Sequence, residues 1–104
     1  MNIDEYQSSA MTFRLHTADG LYALLNLVAE AGEVAGLAAK RRRDGGDIAE
    51  YQKALAKELG DVLWMVAAVA SDNKMSLSSI CQDNIDKLVS RKQRDKIQGS
   101  GDNR

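Results

Sequence analysis

Between Asp19 and Lys40 apolar residues recur at Leu21, Leu24, Leu25, Val28, Ala31, Val34, Ala35 and Ala38. A return every three or four residues predicts a long amphipathic helix. The basic run Lys40-Arg41-Arg42-Arg43 suits the negative end of its dipole, and Gly45-Gly46 then breaks the pattern with a turn. Leu55, Leu59, Val62, Leu63, Val66 and Val69 form a second stripe, which opens at Asp47 with Glu50 in capping position and ends near Ser71-Asp72-Asn73. Upstream, Asn2 and Glu5 repeat the capping spacing, and Tyr6, Met11 and Leu15 mark a shorter first helix. Downstream, Ser76 or Ser78 can cap a fourth, with Ile80, Cys81, Ile85, Leu88 and Val89 as its stripe. Four helices therefore account for the chain, an all-α reading. Residues 96–104 form a polar, basic tail, and the apolar-free ending Gly99-Ser100-Gly101-Asp102-Asn103-Arg104 predicts flexibility unless a ligand or partner orders it.

Composition narrows the picture without changing it. The 104 residues suffice for one domain, spanning 1–104, and 44% hydrophobic with 28% charged residues is a globular balance. Proline is absent and only five residues are aromatic, which favours helices over a turn-rich sheet fold. Fourteen Lys and Arg against fifteen Asp and Glu leave a net charge of -1, so no overall field draws the chain to a nucleic-acid polymer or a membrane surface. One cysteine, Cys81, and one histidine, His16, allow no intramolecular disulfide and no metal site by themselves. Cys81 reads as a small core residue, and the pattern fits a reducing cytosol. The N-terminus lacks a signal pattern and the longest apolar run, Val62 to Ala70, is far shorter than the roughly 20 residues that span a bilayer, so a soluble cytoplasmic protein is expected.

Chemistry enters through four acids. Each long helix carries a pair three residues apart within an apolar stretch, Glu30-Ala31-Gly32-Glu33 and Glu58-Leu59-Gly60-Asp61. That spacing puts like charges on one helix face, where they repel unless a cation compensates them. Among their helical neighbours only Lys57, beside Asp61, is basic. One such pair reads as a solvated face; two pairs on helices that pack together read as a cluster in need of a cation. Oxygen-only ligands select a hard ion, Mg²⁺ or Mn²⁺ over Zn²⁺, and a di-iron site of the Glu-x-x-His kind would need more histidine than this chain has. The glycines inside both pairs weaken their helices and leave room for a ligand.

A divalent-metal cluster commonly works on phosphate, and the fourth helix supplies the cations for it. Asn84, Lys87, Arg91 and Arg94 lie three or four residues apart along one face. Read alone, these side chains are equally a compensated helix end; beside the acids they read as a phosphate-binding face. Arg41 to Arg43 read as a solvated cap. Trp64, one turn after Asp61, is a core residue or a platform for a base, and His16 is a surface residue or a base contact.

Together, Glu-x-x-Glu, Glu-x-x-Asp and Asn84-x-x-Lys87-x-x-x-Arg91-x-x-Arg94 resemble the MazG-type nucleotide pyrophosphohydrolases, over nearly the whole chain and including its Gly-Ser-Gly-Asp-Asn-Arg ending. The resemblance implies a four-helix MazG-like bundle completed by homo-oligomerisation, as a homodimer or homotetramer. It further implies Mg²⁺-dependent hydrolysis of nucleoside or deoxynucleoside triphosphates to the monophosphate and pyrophosphate. Carried over by motif, Glu30, Glu33, Glu58 and Asp61 would hold metal, with Glu30 also a candidate base for the attacking water. Asn84, Lys87 and Arg91 would orient the triphosphate, with Arg94 beside them. Ala29 stands where many members carry a further Glu. Asp102 and Arg104 lie in a tail that would close over the nucleotide or meet a second subunit. The alternative is a non-enzymatic helical module that senses a metal or nucleotide: the same acids would bind an ion that controls assembly, without turnover.

Overall fold

Asn2 begins the first helix in a computed structural model that describes residues 1–104. Its side chain accepts from the Glu5 amide at 2.8 Å, and Glu5 Oε2 reaches back to the Asn2 amide at 3.4 Å, completing the capping box. The helices are α1 (Ile3–Met11), α2 (Gly20–Asp44), α3 (Ile48–Asp72) and α4 (Leu77–Gln93), with no strand. Asp19, Asp47 and Ser76 cap the other three by accepting from the amide three residues on, at 3.3, 3.1 and 3.2 Å. Ser78 is not the cap of α4, because its amide and hydroxyl both donate to Asp4 on α1. α2 continues past Lys40, so the basic run lies within its last turn. It stops where Gly45 takes a φ of 74°, a conformation glycine adopts without steric cost.

The short turn at residues 45–47 folds α2 and α3, each 25 residues long, into an antiparallel hairpin that is the main interface of the chain. α3 is the central element. Its small buried residues Ala67, Ala68 and Ala70 let neighbours approach closely, and Ala67, Ala70 and Leu77 form a core against which Ile3, Tyr6, Met11 and Val66 pack. Polar contacts then hold α1 in place. Gln7 Nε2 donates to Ser71 Oγ and to the Met75 carbonyl, both at 3.0 Å, while its Oε1 accepts from the Leu77 amide at 2.8 Å. Arg14 grips Asp72 through two hydrogen bonds of 2.6 and 2.9 Å and donates from Nε to the Ala18 carbonyl, tying the α1–α2 loop to the end of α3.

α4 stands apart from the hairpin within one chain. It packs on α1 and makes no comparable interface with α2 or α3. The stripe that predicts a core face is therefore open: Ile80, Ile85, Leu88 and Val89 are exposed, and Cys81 is exposed, not a core residue. The physical reason is that Gln7 and Asp4 fasten the start of α4 to α1, directing the helix away from the hairpin. Only eight residues are buried, and the radius of gyration of 16.6 Å exceeds the roughly 13 Å of a compact chain this long, so a single copy does not cover its apolar stripes. α2 by itself is long and apolar enough to cross a membrane by length and composition, a reading the longest apolar run had not suggested. Glu30 and Glu33 lie near its middle and the helix packs along α3, as a hairpin arm does.

Candidate functional site

Equal hairpin arms account for the site. In an antiparallel pair turning at Gly45-Gly46, residues equally distant from the turn face each other, so the middle of α2 meets the middle of α3. Glu30, Glu58 and Asp61 converge there, with one carboxylate oxygen from each lying within 4.8 Å of the others. Glu30 and Glu58 are half-buried and Asp61 is exposed. Glu33 is exposed and stands outside this tight group, yet it is close enough for its charge to act on Glu58. The sequence pairs are thus brought together as three converging acids and one flanking acid.

Nothing basic answers them. None of the four takes part in an ion pair, and Lys57 makes none with Asp61. Glu58 records the consequence: loss of solvation, then the negative charges of Glu33, Asp61 and Glu30, push its carboxyl above the ordinary value. Carboxylates this close, without imidazole or thiolate among them, have the donor chemistry of a hard divalent cation, which relieves the repulsion that raises Glu58. The acids sit on an open face, since the surface indentations lie elsewhere, at the α2–α3 turn beside Arg41 and Tyr51 and near Gly20 and Asn73. Gly32 and Gly60 open onto free space, with no atom within 4 Å of where a Cβ would stand.

Two residues beside the acids carry no signal in the spacing of charges. Asn26, one turn before Glu30, directs its Nδ2 toward Glu30 Oε1 at 3.5 Å and lies 3.6 Å from Met65 Sδ. Tyr6 of α1 is near enough to Asp61 for that charge to help raise its phenol pKa, after the larger effect of burial. An asparagine one turn from a motif acid is a legible cue for the first; the second depends on how α1 docks.

The structure does not join the basic face of α4 to the acids on packed helices of one chain. Asn84 is exposed, while Lys87, Arg91 and Arg94 are engaged by the tail. The tail corrects the expectation of flexibility: residues 95–104 form turns folded back on α4, because Asp102 meets Lys87 and Arg91 and because Arg104 binds the tail's own carbonyls. Trp64 is half-buried and its Nε1 donates to the Ala10 carbonyl at 3.1 Å, so its indole is docked on α1. His16 is exposed in the α1–α2 loop. Arg41 stacks over Tyr51 at 5.0 Å and Arg43 pairs with Asp44, which keeps that basic run local.

Comparisons with known proteins agree with this architecture. The model of the MazG nucleotide pyrophosphohydrolase domain matches residues 20–94, which contain both acid pairs and the basic face of α4. Gene 37 protein of Mycobacterium phage L5 is 42% identical over the full length of both chains. Among solved structures, the crystal structure of iMazG from Vibrio DAT 722 superposes with a TM-score of 0.63, covering 89% of this chain and 97% of that one, at 22% identity. That likeness extends to the fold.

Proposed function

The chain belongs to the MazG nucleotide pyrophosphohydrolase family, and from that premise we propose that it hydrolyses nucleoside or deoxynucleoside triphosphates between the α and β phosphates. The products are the monophosphate and pyrophosphate, the reaction depends on Mg²⁺ or Mn²⁺, and its role is nucleotide-pool control or house-cleaning of damaged nucleotides in the cytoplasm. The observation that carries this reading is the convergence of Glu30, Glu58 and Asp61 with no basic partner.

In this reading Glu30, Glu33, Glu58 and Asp61 hold the metal. When bound, it polarises phosphate oxygens and acidifies a water. Glu30, steadied by Asn26, accepts at its carboxylate the proton of the attacking water. Asn84, Lys87 and Arg91 orient the triphosphate and offset the charge that develops on the departing pyrophosphate, with Arg94 beside them. No covalent nucleophile is required. Because acids and bases are not assembled on packed helices of one chain, the active form is a homodimer or homotetramer. Association covers the exposed Leu21, Leu25 and Val28 of α2 and brings a basic face to an acid cluster.

The test is to incubate the pure protein with each common NTP and dNTP, with Mg²⁺ and with chelator, and to identify products by phosphorus NMR. Monophosphate plus pyrophosphate, lost with chelator, is the expected result. Diphosphate plus phosphate refutes the chemistry. No turnover with any nucleotide also refutes it and moves the acids to the role of an assembly-controlling metal site.

A further inference from the structure

The tail occupies the face assigned above to phosphate. Asp102 Oδ1 lies 2.7 Å from Lys87 Nζ and 3.2 Å from Arg91 Nη2, and the same Nη2 also donates to the Asp102 carbonyl. Three residues further along the face, Arg94 Nη2 donates to the main-chain oxygen of Arg104 at 2.7 Å. Each base of the face therefore already holds a tail oxygen, and a carboxylate presents to Lys and Arg the same charged acceptor as a phosphate oxygen.

The fit on Arg91 is incomplete. The residue is only 6% exposed, yet its Nε is buried with no hydrogen-bond partner, while both tail oxygens crowd onto Nη2. Nε and Nη2 share one edge of the guanidinium, the edge a phosphate takes with two parallel bonds. Asp102 leaves half of that edge unused. Its own side chain is 78% exposed, so water competes for its carboxylate and weakens its hold on the two bases. Lys87 and Arg91 hold its carboxyl below the ordinary range, keeping it anionic at neutral pH.

The tail also has the means to move as a unit. Arg104 donates to the carbonyls of Lys96, Ile97 and Gly101, which closes the segment into a loop held by its own last residue. Asp95, at a φ of 56°, marks the point where the chain leaves α4, and Gly99 and Gly101, also at positive φ, let the loop reverse. A Cβ at Gly99 would also stand 3.3 Å from Arg104 Cδ, a tight contact that the arginine side chain would have to shift to relieve.

We propose that the C-terminal loop is a built-in competitor for the phosphate face: Asp102 takes on Lys87 and Arg91 the place of a substrate phosphate oxygen, and the loop must swing off α4 before a polyphosphate binds. The inference rests on the reading of Lys87 and Arg91 as phosphate-binding residues. A triphosphate displaces the loop because it offers several charged oxygens and can fill both donors of the Arg91 edge. The loop thus tunes affinity and excludes weaker anions.

Titration calorimetry with inorganic tripolyphosphate, in chelator so that no metal held by the acids contributes, reads the competition directly. Asp102→Asn removes the competing charge; Arg104→Gln retains it and loosens the loop. Both variants are expected to bind tripolyphosphate roughly twofold to fivefold more tightly than the wild type, the scale of one exposed ion pair. Unchanged or weaker binding in both, with Lys87→Gln still losing affinity, overturns the competitor and makes the loop a positioning element for Lys87 and Arg91, while the phosphate reading stands. No binding by the wild type or by either variant overturns both. Tighter binding in the variants with no nucleotide turnover supports the competitor and refutes only the hydrolase.

Discussion

Replacing Leu25 by lysine tests whether a second copy completes the fold. Leu25 is 63% exposed in the single chain and lies on one face of α2 with Leu21 and Val28, which are 65% and 72% exposed. Burying a leucine fully is worth about 2 kcal/mol, so covering the exposed share of Leu25 contributes about 1.3 kcal/mol. A two-fold interface uses the residue twice, which makes roughly 2.6 kcal/mol per dimer, or about a hundredfold in Kd. A lysine adds the cost of desolvating its charge, so this is the smaller bound. The side chain is exposed in the monomer, and helicity by circular dichroism should be unchanged. Sedimentation equilibrium over a concentration series should show the wild type as a dimer or tetramer at micromolar concentration and Leu25→Lys shifted to monomer by at least two decades. Nucleotide turnover should fall with the dimer fraction, because the reading requires acids and bases from assembled chains. A wild type that stays monomeric, or a variant with unchanged mass, refutes the reasoning.

Three further outcomes follow from the geometry. Glu58→Gln or Glu33→Gln should abolish turnover while leaving the metal-free fold intact or more stable, as measured by thermal melting in chelator. Glu58 is a carboxyl raised above its ordinary 4.5, so the folded state binds its proton more tightly; its destabilising effect grows as pH rises through the raised value and is absent below 4.5, and Glu58→Gln should remove that slope. Asp72→Asn weakens the Arg14 clamp and should cost about 1 kcal/mol, a melting-point drop of roughly 4–8 °C at fixed protein concentration. Asp72 is held below its ordinary 3.8, so its contribution is full above that value and lost as pH falls through the lowered one; an unaltered acid limb in the variant would contradict the clamp. Gly60→Ala meets free space in one chain and should stabilise the isolated monomer by about 1 kcal/mol. A destabilised monomer in urea titration would show that the face is not open.

The helices were legible because their determinants are local. Asn2 with Glu5, Asp19, Asp47 and Ser76 each satisfy amides within one turn, and the stripes of α2 and α3 declare their length through periodicity alone. The acid cluster was legible for a related reason: two i, i+3 pairs without basic neighbours can be read from a string of letters. Their convergence needed only the turn at Gly45-Gly46, since arms of equal length bring their midpoints together.

What the sequence by itself determined is therefore the four helices, the unpaired acids and the family pattern they carry. Tertiary structure alone decided the rest. Gln7 and Asp4 reach 70 and 74 residues along the chain to fasten the start of α4, so a stripe that reads as core stands open, and Cys81 with it. Trp64 docks on α1 because the Ala10 carbonyl happens to face it, a partner 54 residues away. Asp102 and Arg104, in a segment without apolar residues, find order on Lys87, Arg91 and Arg94. Hydrophobic periodicity records which face of a helix avoids water, but not which surface covers it; that choice is made by long-range contacts whose partners are not neighbours in sequence.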